Sequence, residues 1–444
     1  MFQKLNKILK EYKITNNKKK LFKNLNRHKS NFFWTYALKG LLGENIAKIE
    51  SNSNENKLTL ILNGTIINAF EVAQKNNILI FNDRIVAIGE NLPDYIENEA
   101  VALDIIDAEG LIITAGLIDQ HIHGGFGVNF NNCSSEEVLS ILNKYPKYGI
   151  TSVVPTIMTD EKEAVKNQIE IIKAAKNSAI KHQTNLIGIH LEGPFLNSKN
   201  KGIHPENCIE TPTVENFKFF EDAIIKIVTF APELDEDFKL TKYLYSKDII
   251  PSGGHSKATE SIVNDAERFG MSQLTHIFNA MSPLHHRTPG IIGEGLVNDD
   301  LYVEVIPDGL HLHKIILEII FRTKPQNKII FISDSLPLTL AEKESIIFGG
   351  QAIFNKENKA LNQDGTFAGS LIFLDSALRT LSNDNIEKFA KLIAYATSNP
   401  AKNLGLHNKG SIHVGKDADI VLWNQKENFE IVKTFIHGEI AYQK

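Results

Sequence analysis

Five residues of metal-ligand type each stand at the end of a short apolar run, and that placement limits the fold more than any other feature of the chain. His121 and His123 follow Gly110–Ile118, Glu192 follows Leu186–His190, His255 follows Ile249–Gly254, and His276 follows Gln273–Thr275. A sixth such residue, Asp334, follows Ile329–Ser333. Apolar runs of this length read as buried strands. Side chains that must meet from the ends of separate strands need a layout in which those ends share one rim. A closed (β/α)8 barrel supplies it, and barrel enzymes keep their catalytic groups at the C-terminal rim.

The intervening pattern agrees. Strand-like runs at Gly116–His123, Thr151–Thr156, Leu186–Glu192, Ile225–Ala231, Ile249–His255, Gln273–Phe278, Tyr302–Asp308 and Ile329–Asp334 alternate with helix-like or loop-rich sequence. Helices are expected at Ser135–Tyr145, Glu161–Lys181, Asp237–Ser246, Ala258–Phe269, His313–Phe321, Leu371–Ser382 and Ile386–Thr397. This alternation predicts an α/β fold, a (β/α)8 TIM barrel of the metal-dependent hydrolase type. Short β-type runs punctuated by Gly64, Asn82-Asp83 and Gly89 cluster before it: Leu58–Asn63, Thr65–Asn68, Asn77–Phe81, Arg84–Ile88 and Val101–Asp107. Similar runs, Asp419–Trp423, Phe429–Phe435 and Glu439–Tyr442, follow it. The two clusters predict a small β-sandwich domain formed from both chain ends. The boundaries expected are 1–55 for an extension, 56–115 and 405–444 for the β domain, and 116–404 for the barrel.

The 444 residues, 42% of them hydrophobic, are ample for such a core. A net charge of −5 gives no reason to expect nucleic acid as a partner. The two cysteines, Cys133 and Cys208, offer no disulfide framework and fit a reducing cytoplasm. No run has the length of a membrane-spanning helix, so no stable membrane anchor is expected. In residues 1–55 Lys and Arg far outnumber Glu, and Phe2, Leu5, Ile8, Leu9 and Tyr12 recur at helical spacing. The segment reads as a solvated, partly disordered basic extension, with an amphipathic helix that binds a surface or partner as the alternative.

His121 and His123, two apart on a strand, place both imidazoles on one face. Alone such a pair is as readily two ordinary polar histidines; at the opening of a barrel, before Gly124-Gly125, it reads as two ligands. Glu192 ends a buried run, where a carboxylate is costly unless paired or bound to a metal. Lys199 and Lys201 are its alternative partners, and His190, two residues earlier, competes as a ligand or support. His255, after Gly253-Gly254, and His276 are of the type that binds zinc or iron, though each alone also suits a core. Asp334 can take a proton from water beside a divalent ion and return it to a leaving group; capping a helix is its other reading.

Taken in order, several motifs resemble the N-acetylglucosamine-6-phosphate deacetylase family of the amidohydrolase superfamily. They are Gly116-Leu117-Ile118-Asp119-Gln120-His121-Ile122-His123-Gly124-Gly125, His190-Leu191-Glu192-Gly193-Pro194-Phe195, Gly253-Gly254-His255-Ser256, Thr275-His276-Ile277-Phe278-Asn279-Ala280-Met281, His285-His286-Arg287-Thr288-Pro289-Gly290, Asp308-Gly309-Leu310-His311 and Gly365-Thr366-Phe367-Ala368-Gly369-Ser370. The resemblance runs from about Leu58 to the C-terminus. It implies that Glu192, His255 and His276 hold the principal metal and that Asp334 is the catalytic acid–base. It implies that His204, with Ile203 beside it, meets the acetamide carbonyl. Asn279, Ala280, Arg287 and His311 would hold a sugar phosphate, and Phe367, Ala368 and Gly369 would line the sugar site. A homodimer is implied, because the family's phosphate site borrows residues across a dimer interface. Some members lack the His-x-His pair and use one ion; here His121 and His123 make a second site possible.

The resemblance therefore implies hydrolysis of the acetamide of N-acetyl-D-glucosamine 6-phosphate to glucosamine 6-phosphate and acetate, in amino-sugar catabolism or cell-wall recycling. The cofactor implied is one or two divalent ions per subunit, Zn2+ or Fe2+ from a set of ligands that also suits Mn2+ and Co2+. Two departures stand out. Ser335–Thr339 replaces a stretch usually rich in Gly and Ala, and Ala115 stands where Pro is common. A rival enzyme reading is another amidohydrolase acting on a different N-acyl or cyclic amide; many of those bridge two metals with a modified lysine, and the Glu192 motif points away from them. A non-catalytic scaffold would be expected to have lost ligands that this chain retains.

Overall fold

The structure, a computed structural model, describes residues 57–90, 92 and 102–444. The basic stretch around Phe2–Tyr12 lies outside the described residues. Eight strand positions run parallel around the barrel: Leu117–Ile122, Ile150–Met158, Asn185–Leu186 continued by Ile189–Glu192, Ile225–Phe230, Ile250–Gly253, Gln273–Leu274, Tyr302–Val305 and Ile329–Phe331. Each pairs with the next. The eighth position meets the first through Asp334 N–H to His121 O and His123 N–H to Ser335 O, both 2.9 Å. The ring is therefore nearly closed, as the alternating pattern predicts.

Local sequence explains these elements. Every residue of Leu117–Ile122 and Ile150–Met158 is buried, because a parallel strand is covered on both faces. Between strands, the helix Lys162–Ser178 buries Val165, Ile169, Ile172 and Ala175 on one stripe. The helix Ser135–Lys144 starts at a capping box in which Glu137 N–H donates to Ser134 Oγ and Ser134 N–H donates to Glu137 Oε2.

The sheet built from both ends has eight strands. Lys57–Asn68 lies centrally, antiparallel to Glu71–Phe81 and parallel to Ala102–Asp107 and Ile112–Ala115. Ile112–Ala115 in turn pairs antiparallel with Ile420–Asn424, which leads to Glu430–Ile436 and Glu439–Gln443. Ile61, Ile78, Ile85, Ile113, Ile420 and Phe435 form its core, so residues from both ends share one apolar layer. Gly64, expected to separate two strands, instead marks a bulge within one. A Cβ there would fall 2.2 Å from Ile113 Cδ1, so the glycine is a requirement of packing and not of a turn.

Several elements were not expected, among them the short helix Val214–Lys218. A small antiparallel sheet, Ser345–Phe348, Gln351–Lys356 and Lys359–Leu361, stands between the eighth strand and the last helices. The helices Gly290–Val297 and Ser398–Asn403 also appear; the first is rich in glycine and carries little intrinsic helical preference.

Asp419, where the β domain meets the barrel, is held by Lys409, whose Nζ lies 2.5 Å from Asp419 Oδ2 and 3.0 Å from Asp417 Oδ2. Asn185 of the barrel donates to the same Asp419 oxygen at 3.3 Å. Lys409→Met is expected to leave the buried Asp419 without a cation and Asp417 with Arg84 alone, and to cost about 3–5 kcal/mol of unfolding free energy. Urea denaturation measures it. A loss below about 1 kcal/mol, the worth of an exposed pair, would show that the clasp contributes little.

Candidate active site

The expected ligands leave their strands abruptly. His255, His276 and Asp334 have φ of 49°, 29° and 49°, in the left-handed region that non-glycine residues rarely occupy. This is why the strands expected to run to His255, Phe278 and Asp334 stop at Gly253, Leu274 and Phe331. Such conformations persist where surrounding structure holds them, and they concentrate at functional sites. Gly254 lets the chain turn: a Cβ there would lie 2.8 Å from Thr229 Cγ2 and 2.9 Å from Thr275 Cβ.

These turns aim imidazoles at one carboxylate. Glu192 Oε1 lies 3.0 Å from His276 Nε2, 3.2 Å from His255 Nε2 and 3.5 Å from His121 Nε2. Glu192 Oε2 lies 3.3 Å from His123 Nε2 and 3.5 Å from His204 Nε2. Neither Lys199 nor Lys201 takes part in these contacts. Burial alone would favour the neutral acid, but the charge and hydrogen bonds of His121, with those of His123 and His204, outweigh it and hold the Glu192 carboxyl well below the usual range.

The donor set fits divalent cations. His121, His123 and Glu192 form one group, and Glu192, His255 and His276 another, with ligand atoms within 4.8 Å of one another in each. His255 Nε2 and His276 Nε2 lie 3.1 Å apart, close enough to share either a proton or a cation between them. His121 Nε2 is buried and has no hydrogen-bond partner among the described residues. His and carboxylate ligands in this number suit zinc, iron and related ions.

Asp334 lies beside both groups, its Oδ1 3.2 Å from His123 Nε2 and 3.5 Å from His121 Nε2. Burial works against its charge, but the His123 hydrogen bond and the His121 charge prevail and keep its carboxyl below the usual range. It caps no helix among the described residues. Burial pushes His204 down to about 4, so its imidazole is neutral near pH 7. The Thr159 hydroxyl, 2.9 Å from His204 Nδ1, can donate there and leave Nε2–H facing the cavity.

That cavity, of about 240 Å³, is lined by His123, Glu192, His255, His276, Asp334, Ile203, His204, Asn279, Ala280, His311, Phe367, Ala368 and Gly369, together with Met158, Gly202, Phe348 and Thr366. Thus most of the expected residues converge. His121 sits beneath, fully buried. Arg287 does not line the cavity; it is exposed on the loop before Gly290, near the exposed Leu284. His190 presents no free nitrogen to an ion, since its Nδ1 and Nε2 are occupied by the hydroxyls of Thr156 and Thr229 at 3.1 and 2.7 Å; its ring instead packs edge-on against His121, 4.5 Å between centroids. Met158, Gly202, Phe348 and Thr366 were not among the expected lining residues, nor was Asp308 behind His311. Phe348, on the unexpected small sheet, packs its ring 5.1 Å from that of His123. Asp308, within a quoted motif, holds His311 Nδ1 at 2.7 Å; its spacing three residues before His311 was the available signal. The unusual Ser335–Thr339 stretch lies against Gly124–Gly127, with Gly127 N–H donating to Pro337 O.

A model of the amidohydrolase family matches residues 112–441. The chain is 34% identical over 391 residues to the N-acetylglucosamine-6-phosphate deacetylase of Bacillus subtilis (strain 168), a match covering 86% of this chain and 97% of that one. The crystal structure of the enzyme of that name from Pasteurella multocida superimposes with a TM-score of 0.79 at 28% identity, covering 86% of this chain and 99% of its own. The Thermotoga maritima structure of the same name gives 0.75 at 27% identity, covering 87% and 100%.

In the Glu192–His255–His276 group, called the inner group because both of its histidines face the cavity, His255→Ala and His276→Ala each leave two protein ligands, too few to hold an ion well. Elemental analysis of dialysed protein is expected to find that ion gone in both variants. Full occupancy in either would remove that residue from the ligand set.

Proposed function

The chain belongs to the amidohydrolase family, among its N-acetylglucosamine-6-phosphate deacetylases, and we propose that it hydrolyses the acetamide of N-acetyl-D-glucosamine 6-phosphate to D-glucosamine 6-phosphate and acetate. The observation that carries this reading is the convergence of Asp334, His204 and two candidate ligand groups on one cavity, in a chain that resembles deacetylases of that name over most of its length. Among the described residues no lysine lines the cavity, which leaves the cyclic-amide reading without its bridging residue.

Glu192, His255 and His276 hold one divalent ion, and His121 and His123 contribute to a second; Zn2+ and Fe2+ are our candidates. When bound, such ions supply charge that makes water a nucleophile near neutral pH and polarises a carbonyl. Asp334, ionised at that pH, accepts the proton of the attacking water. His204 Nε2–H donates to the carbonyl oxygen as negative charge develops on it. Asp334 then delivers its proton to the departing nitrogen, so water and amide become acetate and amine. Ile203, Phe367, Ala368 and Gly369 pack the sugar, and Asn279, Ala280 and His311 face its phosphate.

Arg287 completes the phosphate site from a second copy of the chain in a homodimer. Its exposure away from its own cavity and the neighbouring exposed Leu284 support that arrangement. We assign the enzyme to the cytoplasm; the free thiols of Cys133 and Cys208 support a reducing compartment. Among the described residues no helix is long and apolar enough to cross a membrane. We retain 116–404 as the catalytic barrel, 56–115 with 405–444 as the β domain, and 1–55 as an extension outside the catalytic unit.

Asp334→Asn is expected to lower kcat by ~10²–10⁴-fold with metal content unchanged, because an amide cannot accept the water proton. Steady-state assay beside elemental analysis tests it; more than a tenth of wild-type kcat would remove Asp334 as the acid–base. Arg287→Ala forfeits a charge-assisted pair worth about 1.5–3 kcal/mol, or roughly a 10- to 150-fold loss in kcat/KM. The loss should fall on the phosphorylated sugar and spare unphosphorylated N-acetylglucosamine. An equal loss on both would give Arg287 a structural role and defeat the phosphate assignment.

A further inference from the structure

Beneath the ligand layer, the barrel is not filled by the branched apolar side chains that usually pack such interiors. A belt of buried polar groups runs across the strands, and Glu304, fully buried on the seventh strand, anchors it. Glu304 Oε1 lies 2.7 Å from Gln120 Nε2 and 2.9 Å from Gln273 Nε2. Its other oxygen, Oε2, lies 3.1 Å from His121 Nδ1.

The hydrogen-bond direction is fixed around Glu304. A carboxylate facing two amide groups can only accept, so Gln273 Nε2 gives one proton to Glu304 and the other to Ser252 Oγ at 3.1 Å. Asn403 Nδ2, 2.6 Å from Gln273 Oε1, holds that amide the same way round. Ser252, Thr275, Thr229 and His190 Nε2 continue the belt through contacts of 2.6, 2.7 and 2.7 Å. The same carboxylate accepts from His121 Nδ1–H through Oε2.

We propose that Glu304 is a positioning residue: it fixes the tautomer of His121 and thereby sets the affinity of the outer cation site formed with His123 and Glu192. With Nδ1–H held by Glu304, the proton a cation displaces from His121 leaves from Nε2, whose lone pair then faces the ion. Nε2 is the atom 3.5 Å from both Glu192 Oε1 and Asp334 Oδ1. The inner group has no comparable support. His255 Nδ1 meets the neutral carbonyl of Asn200 at 2.9 Å, and His276 Nδ1 has no hydrogen-bond partner among the described residues. A buried carboxylate therefore backs one group and not the other, and removing its charge should weaken one ion selectively. The inference rests on the metal-centre part of the proposed function, not on the substrate assigned to it.

The test is equilibrium dialysis of metal-stripped, full-length protein against buffered free Zn2+, read by elemental analysis, for wild type and Glu304→Gln. Wild type should take up two ions. The variant should bind one with wild-type affinity and the other ~10–100-fold more weakly, the usual effect of losing a partner that orients a ligating histidine. Glu304→Asp keeps the charge on a stem too short to reach His121; it should show the same selective loss and serves if the Gln variant does not fold. Wild-type affinity for both ions in these variants would overturn the proposal. So would equal weakening of both ions, which marks a merely structural residue, or a single ion in saturated wild type. No substrate enters the measurement, so inactivity toward the sugar phosphate would sink the proposed function and leave this result standing.

Discussion

The structure turns on one buried carboxylate. Glu192 is almost wholly removed from water, and an isolated charge there would be prohibitively costly. Five imidazole nitrogens, from His121, His123, His204, His255 and His276, lie within 3.5 Å of its two oxygens. They come from different strands and loops, so the barrel must bring those ends together before the charge can be compensated. The same crowding makes the site hostile to anything but a cation. Imidazoles packed this tightly around one acid repel one another when charged and leave lone pairs unsatisfied when neutral.

That demand explains where backbone irregularity falls. His255, His276 and Asp334 each adopt a left-handed conformation two or three residues past a strand end. Continuing in extended form would send their side chains along the barrel wall instead of across its mouth. The strain is of order 1–3 kcal/mol at each such residue, and cross-strand hydrogen bonds tie these turns down. Ser370 N–H donates to Asp334 O at 2.8 Å, and Asn197 N–H to His255 O at 3.0 Å. Gly369 permits the first contact, since a Cβ there would fall 2.8 Å from Asp334 O.

Much of this was legible in the amino-acid sequence, for a physical reason. Strands of a parallel barrel are buried on both faces and read as apolar runs, and their polar terminators stand out against them. The ligand residues and Asp334 could be placed in this way, and the likeness of whole motifs added His204, His311 and the Phe367–Gly369 segment. What escaped notice depends on contacts distant in sequence. Glu304 sits inside the strand Tyr302–Val305, where it interrupts an apolar run without ending it; only the barrel's closure brings it under His121. Phe348 belongs to a small sheet whose strands carry mixed polarity. Strand lengths were overestimated where ligands turn away, because a left-handed turn at a histidine leaves no mark in hydrophobic periodicity.

The joining of both chain ends in one sheet also orders events in time. Thr114 and Trp423, 309 residues apart, share a hydrogen bond of 2.8 Å, and Gly116 N–H, at the entrance to the barrel, is held by Asp419 O at 2.9 Å. During synthesis the N-terminal half of that sheet emerges first and waits, with Ile61, Ile113 and their neighbours exposed, until nearly the whole chain has been made. Long-range pairing of this kind slows folding, and exposed apolar strands awaiting partners invite association with other chains. The strands after Ile420 therefore act as the closing seam of the molecule, and a nascent chain released before them would carry a sheet edge and an apolar face that only they can cover.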